Sequence, residues 1–170
     1  MNCTVLHFNL RKAKAAGYKA TFTDWLISLR SNRVHSEFLF SERYCDLSFS
    51  STMKSGENGP RFKRIIYSHP EYWDRQVIPM TDDEENKAYR FAEFLEKMEF
   101  RYDLFGLLSF ATPLEIITPV RWRMWCSECV ASLIQEAFPD FNGSPDELTP
   151  DGLYIEIGKR WKYGGTVNKL

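Results

Sequence analysis

The sequence predicts one α+β domain, and three observations lead to this class. Short segments of alternating polarity, bounded by turn residues, predict β-strands mainly in the first half of the chain. Two longer segments have a capping signal followed by apolar residues at spacings of three and four, which predicts amphipathic helices. Strands, two helices and a last strand, in that order, favour α+β over a doubly wound parallel sheet. With 170 residues, 44% of them hydrophobic, and no repeat or linker, the chain fits a single domain over 1–170.

The first half of the chain contains most of the predicted strands. In order, its elements are a short helix over 25–30 capped by Thr23 and Asp24, a strand over 34–40, a Ser- and Gly-rich loop over 48–60, and strands over 61–67 and 73–79 joined by a turn at His69 and Pro70. Because a strand has a period of two, residues two apart in 34–40 share one face.

Two predicted helices dominate the second half. Thr81 and Glu84 form the capping box of the first helix. The second helix runs over 126–138, followed by a helical turn over 144–148 and a strand over 152–157. The apolar residues at helical spacing are Ala88, Phe91, Ala92, Leu95 and Met98 in the first helix, and Val130, Leu133, Ile134 and Ala137 in the second.

Charge and hydropathy argue against two classes of partner. The 22 Lys and Arg residues nearly balance the 23 Asp and Glu residues, which argues against broad nucleic-acid affinity. The least polar stretch, 104–120, is interrupted by two prolines and a glutamate and is shorter than the roughly 20 residues of a membrane span. The chain starts without the basic and apolar regions of a secretory signal, so we expect a cytoplasmic protein with reduced thiols.

Aromatic residues are unusually frequent, at 15% of the chain. This content is enough to line a cleft as well as to fill a core. The residues that we consider for either role are Trp73, Tyr102, Phe105, Trp122 and Trp125.

Cys126 is the strongest candidate for a nucleophile. The four cysteines are too few and too unevenly spaced for the disulfide framework of a small secreted protein. Cys126 begins the second predicted helix, where the helix dipole and the unpaired N–H groups favour a thiolate and stabilise an oxyanion. Cys129, one turn further on, should face the core as a small apolar residue.

Of the three histidines, the sequence favours His35 as the base. His7 lies near the start of the chain and His69 precedes Pro70 in a turn, so we expect both to face solvent. His35 and Glu37 share a face of the predicted strand, where a carboxylate can orient the imidazole and stabilise its protonated form. The alternative is an exposed His–Glu pair on a strand edge.

Two other interpretations use the same cysteines. Cys126 and Cys129 form a Cys-x-x-Cys behind Trp125, as in thiol–disulfide oxidoreductases, although in those proteins the motif follows an early strand. A zinc site would need two more ligands, and no other His and Cys make a convincing second pair. We expect neither a metal nor a cofactor.

Several motifs occur in an order that is typical of one superfamily. They are His-x-Glu at 35–37, Tyr-Asp-x-x-Gly at 102–106, Cys-Ser-Glu at 126–128 and Ser-Pro-x-x-Leu at 144–148. They resemble the circularly permuted papain-like proteins of the NlpC superfamily, in which the His precedes the Cys. Small bacteriophage-encoded members are more similar still, with a Trp-containing helix as at 25–30, a Ser-rich segment running into a basic strand as at 49–63, and Trp-Asp as at 73–74.

The resemblance covers roughly 22–157 and implies both a fold and a set of catalytic residues. The implied fold is a permuted papain-like one, with an antiparallel sheet or partial barrel packed against the nucleophile-bearing helix. Cys126 is implied as the nucleophile, His35 as the base and Glu37 as the third residue. Two positions depart from the pattern: Cys129 stands where an apolar residue is usual, and Gly-Pro-Arg at 59–61 replaces a Gly-Val-Arg-like turn. The first departure leaves the redox interpretation open.

The implied activity is hydrolysis or acyl transfer at an amide, ester or thioester bond, through an acyl-enzyme on Cys126. Superfamily members act on peptidoglycan peptides, isopeptide-like amides and lipid esters. A peptide, amide or acyl substrate is therefore implied, with a bacterial host component among the candidates, and neither nucleic acid nor a membrane span. For a phage-encoded protein the expected place is the host cytoplasm, with the virion as the alternative. A second hypothesis is a non-catalytic interaction protein that uses the cleft of the same scaffold for binding.

Overall fold

A five-stranded antiparallel sheet organises the fold. The computed structural model describes residues 1–29, 31–53, 57–64, 69–103 and 123–161. The strands are β1 (Asn2–Asn9), β2 (Arg33–Leu39), β3 (Leu47–Thr52), β4 (Gly59–Arg64) and β5 (Trp73–Pro79). Their order across the sheet is β4-β3-β2-β1-β5, so the first strand lies in the interior of the sheet, paired with both β2 and β5.

Helices accompany the sheet and confirm the α+β class. They are α1 (Leu10–Ala15), α2 (Phe22–Ser28), α3 (Asp82–Lys97), α4 (Cys126–Ala137) and α5 (Pro150–Arg160), with short 3₁₀ turns at Glu42–Tyr44, Pro70–Tyr72 and Pro145–Glu147. Helices α3 and α4 pack on each other and on strands of the sheet. In the described ranges, none of the helices has both the length and the apolar character that a membrane span needs.

The main core combines the sheet with α3 and α4. Phe38 and Phe49 are register partners on β2 and β3, and both belong to one buried cluster with Leu133 and Ile134 of α4. Burial of each such side chain contributes roughly 1.5–3 kcal/mol. Leu133→Ala would therefore cost about 2–5 kcal/mol of the free energy of unfolding and loosen α4 on the sheet.

Most of the predicted elements that lead to the candidate site are confirmed. Strand β5 has the predicted bounds, α4 begins at the predicted residue, and β2 begins one residue early. The capping box of α3 is formed: Thr81 Oγ1 accepts from the N–H of Glu84 over 3.3 Å, and Glu84 Oε2 accepts from the N–H of Thr81 over 2.7 Å. The predicted turn over 144–148 is the last of the 3₁₀ turns.

The predicted cap of the first short helix was wrong by two residues. Helix α2 is capped by Thr21, whose hydroxyl accepts from the N–H of Asp24 over 3.2 Å. Asp24 is the third helical residue and its carboxylate accepts from the N–H of Thr21 over 2.9 Å. Asp24 therefore completes a capping box and does not start the helix.

The predicted loop over 48–60 was also wrong at both ends, because 48–52 belong to β3 and 59–60 begin β4. A serine in the interior of a strand is unfavourable when its buried hydroxyl has no hydrogen-bond partner. Here the buried hydroxyls donate to carbonyl groups. Ser48 donates to Lys63 over 2.9 Å and Ser50 donates to Ser36 over 2.6 Å. The serine-rich stretch is thus a buried strand whose polar groups are satisfied.

The predicted strand over 152–157 was wrong as well, because it lies within helix α5. Thr149 caps this helix by accepting from the N–H of Gly152 over 3.0 Å, and Pro150 occupies the first helical position. Leu153 and Ile157, four residues apart, form its buried face. Over so short a segment, the spacing of these apolar residues was compatible with either period.

Parts of the sequence interpretation lie outside the described residues. Strand β4 begins two residues before the predicted 61–67, and 65–67 are not among the described residues. The same is true of 104–120, of Phe105 and of Trp122.

Candidate active site

The start of helix α4 is tied to the end of strand β3. The hydroxyl of Ser51 donates to the carbonyl of Met124 over 2.6 Å. In the first turn of the helix, Glu128 accepts from the N–H of Trp125 over 3.2 Å. These bonds fix the position of Cys126, the first residue of α4, which is 2% exposed.

Its position at a helix start gives Cys126 an electrostatic environment suited to a nucleophile. The first N–H groups of an α-helix have no partner within the helix, and the positive end of the helix dipole lies beside them. Both favour a negatively charged sulfur. The same N–H groups stabilise an oxyanion that forms when the sulfur attacks a carbonyl group.

The predicted pairing of His35 with Glu37 is present. Nε2 of His35 lies 2.8 Å from Oε1 of Glu37, and Nη2 of Arg61 on β4 donates to the same oxygen over 3.3 Å. Arg61 also donates through Nε to Glu57 over 2.8 Å. Glu37 is 3% exposed, so this carboxylate is desolvated and bound from two sides. The pair is therefore not an exposed one on a strand edge.

His35 also lies within electrostatic reach of Cys126, whose negative charge is the largest of the effects that raise the pKa of the imidazole. Because Nε2 binds Glu37, Nδ1 is the ring nitrogen that is left for another partner. The structure thus brings Cys126, His35 and Glu37 together in one series of interacting side chains. Sequence reasoning did not include Arg61, which extends the series; its position two residues into a basic strand was the only signal.

The pKa shifts agree with a charged site. Burial lowers the pKa of His35, but the negative charge of Cys126 and its hydrogen bond, followed by the hydrogen bond and charge of Glu37, raise it to about 9. Burial likewise raises the pKa of Glu37, but His35 and Arg61 outweigh this effect and lower it to about 2. At neutral pH, His35 is therefore an imidazolium beside an ionised Glu37.

Tyr102 is a second neighbour of the sulfur. The residue is 7% exposed, and the charge of Cys126 acts on its hydroxyl. Burial, followed by the charges of Cys126 and two aspartates, raises the pKa of Tyr102 well above its usual value, so the hydroxyl keeps its proton and donates. Sequence reasoning treated Tyr102 only as an aromatic wall, although it begins the Tyr-Asp-x-x-Gly motif.

Cys129 lies in the core, as predicted. It is fully buried, and burial, followed by the charges of Glu128 and Cys126, raises the pKa of the Cys129 thiol well above its usual value. All four cysteines are free thiols, and only Cys45 is exposed. In the part of the chain that the structure describes, no group of three or more His, Cys, Asp or Glu side chains is arranged to hold a metal ion.

The other two histidines differ from each other. His69 is 56% exposed, as predicted. The prediction for His7 was wrong: it is fully buried in β1, with Nδ1 3.0 Å from Ser36 Oγ and Nε2 3.0 Å from Gln76 Oε1. Because β1 is an interior strand, its position near the start of the chain does not expose it.

A cleft of about 630 Å³ lies beside His35 and Glu37. Phe8, Tyr18 and Trp73 form an aromatic wall, and the rings of Trp73 and His35 meet edge-on with centroids 6.3 Å apart. Strand β4 supplies Arg61, Lys63 and Arg64 to the lining. Of the aromatic residues considered from sequence, Trp73 and Tyr102 line the cleft, whereas Trp125 is buried in a small core cluster with Leu26 and Val34.

The chain matches no model of a known protein family, no curated protein and no solved structure.

Proposed function

We propose that the protein is a cysteine-dependent hydrolase or acyl transferase, with Cys126 as the nucleophile, His35 as the acid–base residue and Glu37 as the residue that orients it. The observation that carries this proposal is the position of His35, whose ring binds Glu37 through Nε2 and lies within electrostatic reach of Cys126. A nucleophile, a base and an orienting group in one series are the arrangement that covalent catalysis requires.

The proposed reaction has two steps. The Cys126 thiolate attacks the carbonyl carbon of an amide, ester or thioester, and the resulting oxyanion is stabilised by the N–H groups at the start of α4. When the tetrahedral intermediate collapses, the bond to the leaving group breaks and the His35 imidazolium gives that group its proton. A thioester remains on Cys126. Water or another acceptor then loses a proton to His35, attacks the thioester and releases the acyl group, which restores the thiolate and the imidazolium.

The permuted papain-like fold belongs to this proposal. The chain order supports it, because the strand that carries His35 precedes the helix that carries Cys126, and the antiparallel sheet packs against that helix. A thiol redox function has less support, because Cys129 is fully buried and its thiol is held protonated.

Alkylation by iodoacetamide, followed by peptide mapping, tests the proposal. Cys45 is exposed and lies in another part of the chain, so it provides a reference thiol within the same molecule. We expect His35→Ala to slow alkylation of Cys126 at pH 7 by about tenfold or more, as loss of a thiolate partner does, while Cys45 is unaffected. We expect Cys129→Ala to leave both rates unchanged. Equal Cys126 rates in the wild type and His35→Ala would overturn the proposed pair.

Acylation provides the catalytic test. With p-nitrophenyl acetate, we expect a burst of p-nitrophenolate and an acetyl group on Cys126 in the intact mass, both of which Cys126→Ser abolishes. A thiol that alkylates rapidly but never becomes acylated would favour the non-catalytic interaction protein.

A further inference from the structure

Strand β4 gives the cleft one strongly basic wall. Arg61, Lys63 and Arg64 all line it, on the edge strand of the sheet opposite to β5, which carries Trp73. Lys63 and Arg64 are exposed, whereas Arg61 is half-buried. The question is which of these charges is available to a ligand.

Most charges around the cleft are already balanced. Arg61 binds Glu37 and Glu57, and Glu37 binds His35, so two positive and two negative groups cancel when His35 is protonated. Asp24 also lines the cleft, where it accepts hydrogen bonds from Tyr18 and Thr21. It lies on α2, a different element from the basic wall.

Lys63 and Arg64 are the exception. Neither side chain forms an ion pair with any residue in the described ranges. Both lie on the strand that also supplies Arg61 to the series ending at Cys126. Two cations without an ion-pair partner among the described residues thus border the cleft beside the proposed reaction centre.

We infer that Lys63 and Arg64 form a subsite for a negatively charged group of the substrate, so that the preferred substrate is an amide or ester that carries a carboxylate near the bond to be cleaved. This inference rests on the proposed function, because it assigns a substrate class to the same site. A carboxylate is complementary to Lys and Arg, and a charge within about 10 Å of them is attracted at ordinary ionic strength.

Two alkylating reagents that differ only in charge test the inference. They are the α-amides of N-iodoacetyl-glutamic acid and of N-iodoacetyl-glutamine. In both cases the thiolate of Cys126 displaces iodide: an S–C bond forms and iodide leaves with the electrons of the C–I bond. For each cysteine, the rate constant with the glutamic acid reagent is divided by the rate constant with the glutamine reagent. This ratio for Cys126, divided by the same ratio for Cys45, measures the preference for an anion.

We expect the wild-type preference to exceed one and to fall about three- to tenfold in Lys63→Gln/Arg64→Gln, which is the effect of one or two partly screened charges. The matched control is Arg90→Gln/Lys97→Gln on α3, which removes the same net charge from exposed positions that do not line the cleft. Added salt should also lower the preference of the wild-type protein, and this measurement needs no variant.

The outcomes separate the two proposals. If the neutral reagent alkylates Cys126 in a His35-dependent manner but the preference is unchanged in Lys63→Gln/Arg64→Gln and by salt, the subsite is overturned and the proposed function stands. An equal fall in the control variant also overturns the subsite, because it shows an effect of net charge alone. If the neutral reagent shows no dependence on His35, both proposals fail.

Discussion

Nε2 of His35 lies 2.8 Å from Oε1 of Glu37, two residues further along the same strand. Both side chains point to one face of β2, so a short local spacing in the sequence produces a fixed contact in the fold. The contact holds the imidazole ring so that its other nitrogen is available to Cys126. The strand that carries His35 and the helix that carries Cys126 come from distant parts of the chain.

Removal of the charge of Glu37 should shift the pH dependence of the site. Because the pKa of His35 is raised to about 9, its imidazolium persists below that pH and is lost above it. Glu37→Gln keeps an oxygen acceptor but removes a charge that raises this pKa, so the alkaline limb of the acylation rate should move to lower pH. We also expect the acylation rate at pH 7 to fall about tenfold or more. An alkaline limb at the same pH in both proteins would contradict the role of Glu37.

Tyr102→Phe should weaken the site without weakening the fold. The substitution removes the hydroxyl that interacts with Cys126 and keeps the ring in the small core cluster. Loss of a hydroxyl donor beside a charged sulfur should slow alkylation of Cys126 at pH 7 about threefold to thirtyfold. Thermal unfolding provides the control: a large fall in Tm would indicate that the hydroxyl is mainly structural.

How much of the site was predictable from sequence depends on how local the signals were. Cys126 at a helix start and the period-two pair His35 and Glu37 depend on neighbours in the chain, and these predictions agree with the geometry. Tyr102 and Arg61 interact with Cys126 and Glu37, respectively, across elements that are distant in the chain. No local sequence pattern predicts such interactions.

The same distinction explains the errors in the fold. The capping boxes and the alternation of β5 are local, and they were predicted with small errors in position. The burial of Ser50 and of His7 depends on partners from other strands, Ser36 and Gln76 among them. The serine-rich composition therefore indicated a loop, and the position of His7 near the start of the chain indicated a solvent-facing ring.

Protonation of the buried His7 should destabilise the fold in acid. Burial, followed by the charge of Arg33, lowers the pKa of His7 from 6.5 to about 3. Between these values the unfolded chain binds a proton that the folded state does not, so the free energy of unfolding falls as the pH falls, by about 1.4 kcal/mol per pH unit. Urea unfolding at several pH values should show a smaller slope in His7→Asn than in the wild type, with His69→Asn as the exposed control. Equal slopes in His7→Asn and the wild type would contradict this account.

Gly59 should be intolerant of any side chain. It begins β4 with a φ of 131°, and an added Cβ would overlap the carbonyl oxygen of Phe100. We expect Gly59→Ala to cost more than about 2 kcal/mol, from backbone strain together with displacement of β4 from Phe100. Gly17→Ala is the matched control, because Gly17 also has a positive φ of 91° but nothing lies within 4 Å of its added Cβ. Thermal unfolding should show the larger fall in Tm for Gly59→Ala, and equal falls would contradict the steric argument.

The separation of Cys126 and His35 along the chain has a consequence for folding. His35 belongs to the first third of the sequence and Cys126 to the last third, and the sheet between them includes β1 as an interior strand. A chain in which α4 has not yet packed on β2 therefore has the thiol but not its imidazolium partner. Rapid, His35-dependent modification of Cys126 would then appear only once α4 packs on β2, so the modification rate reports when this long-range contact forms during folding.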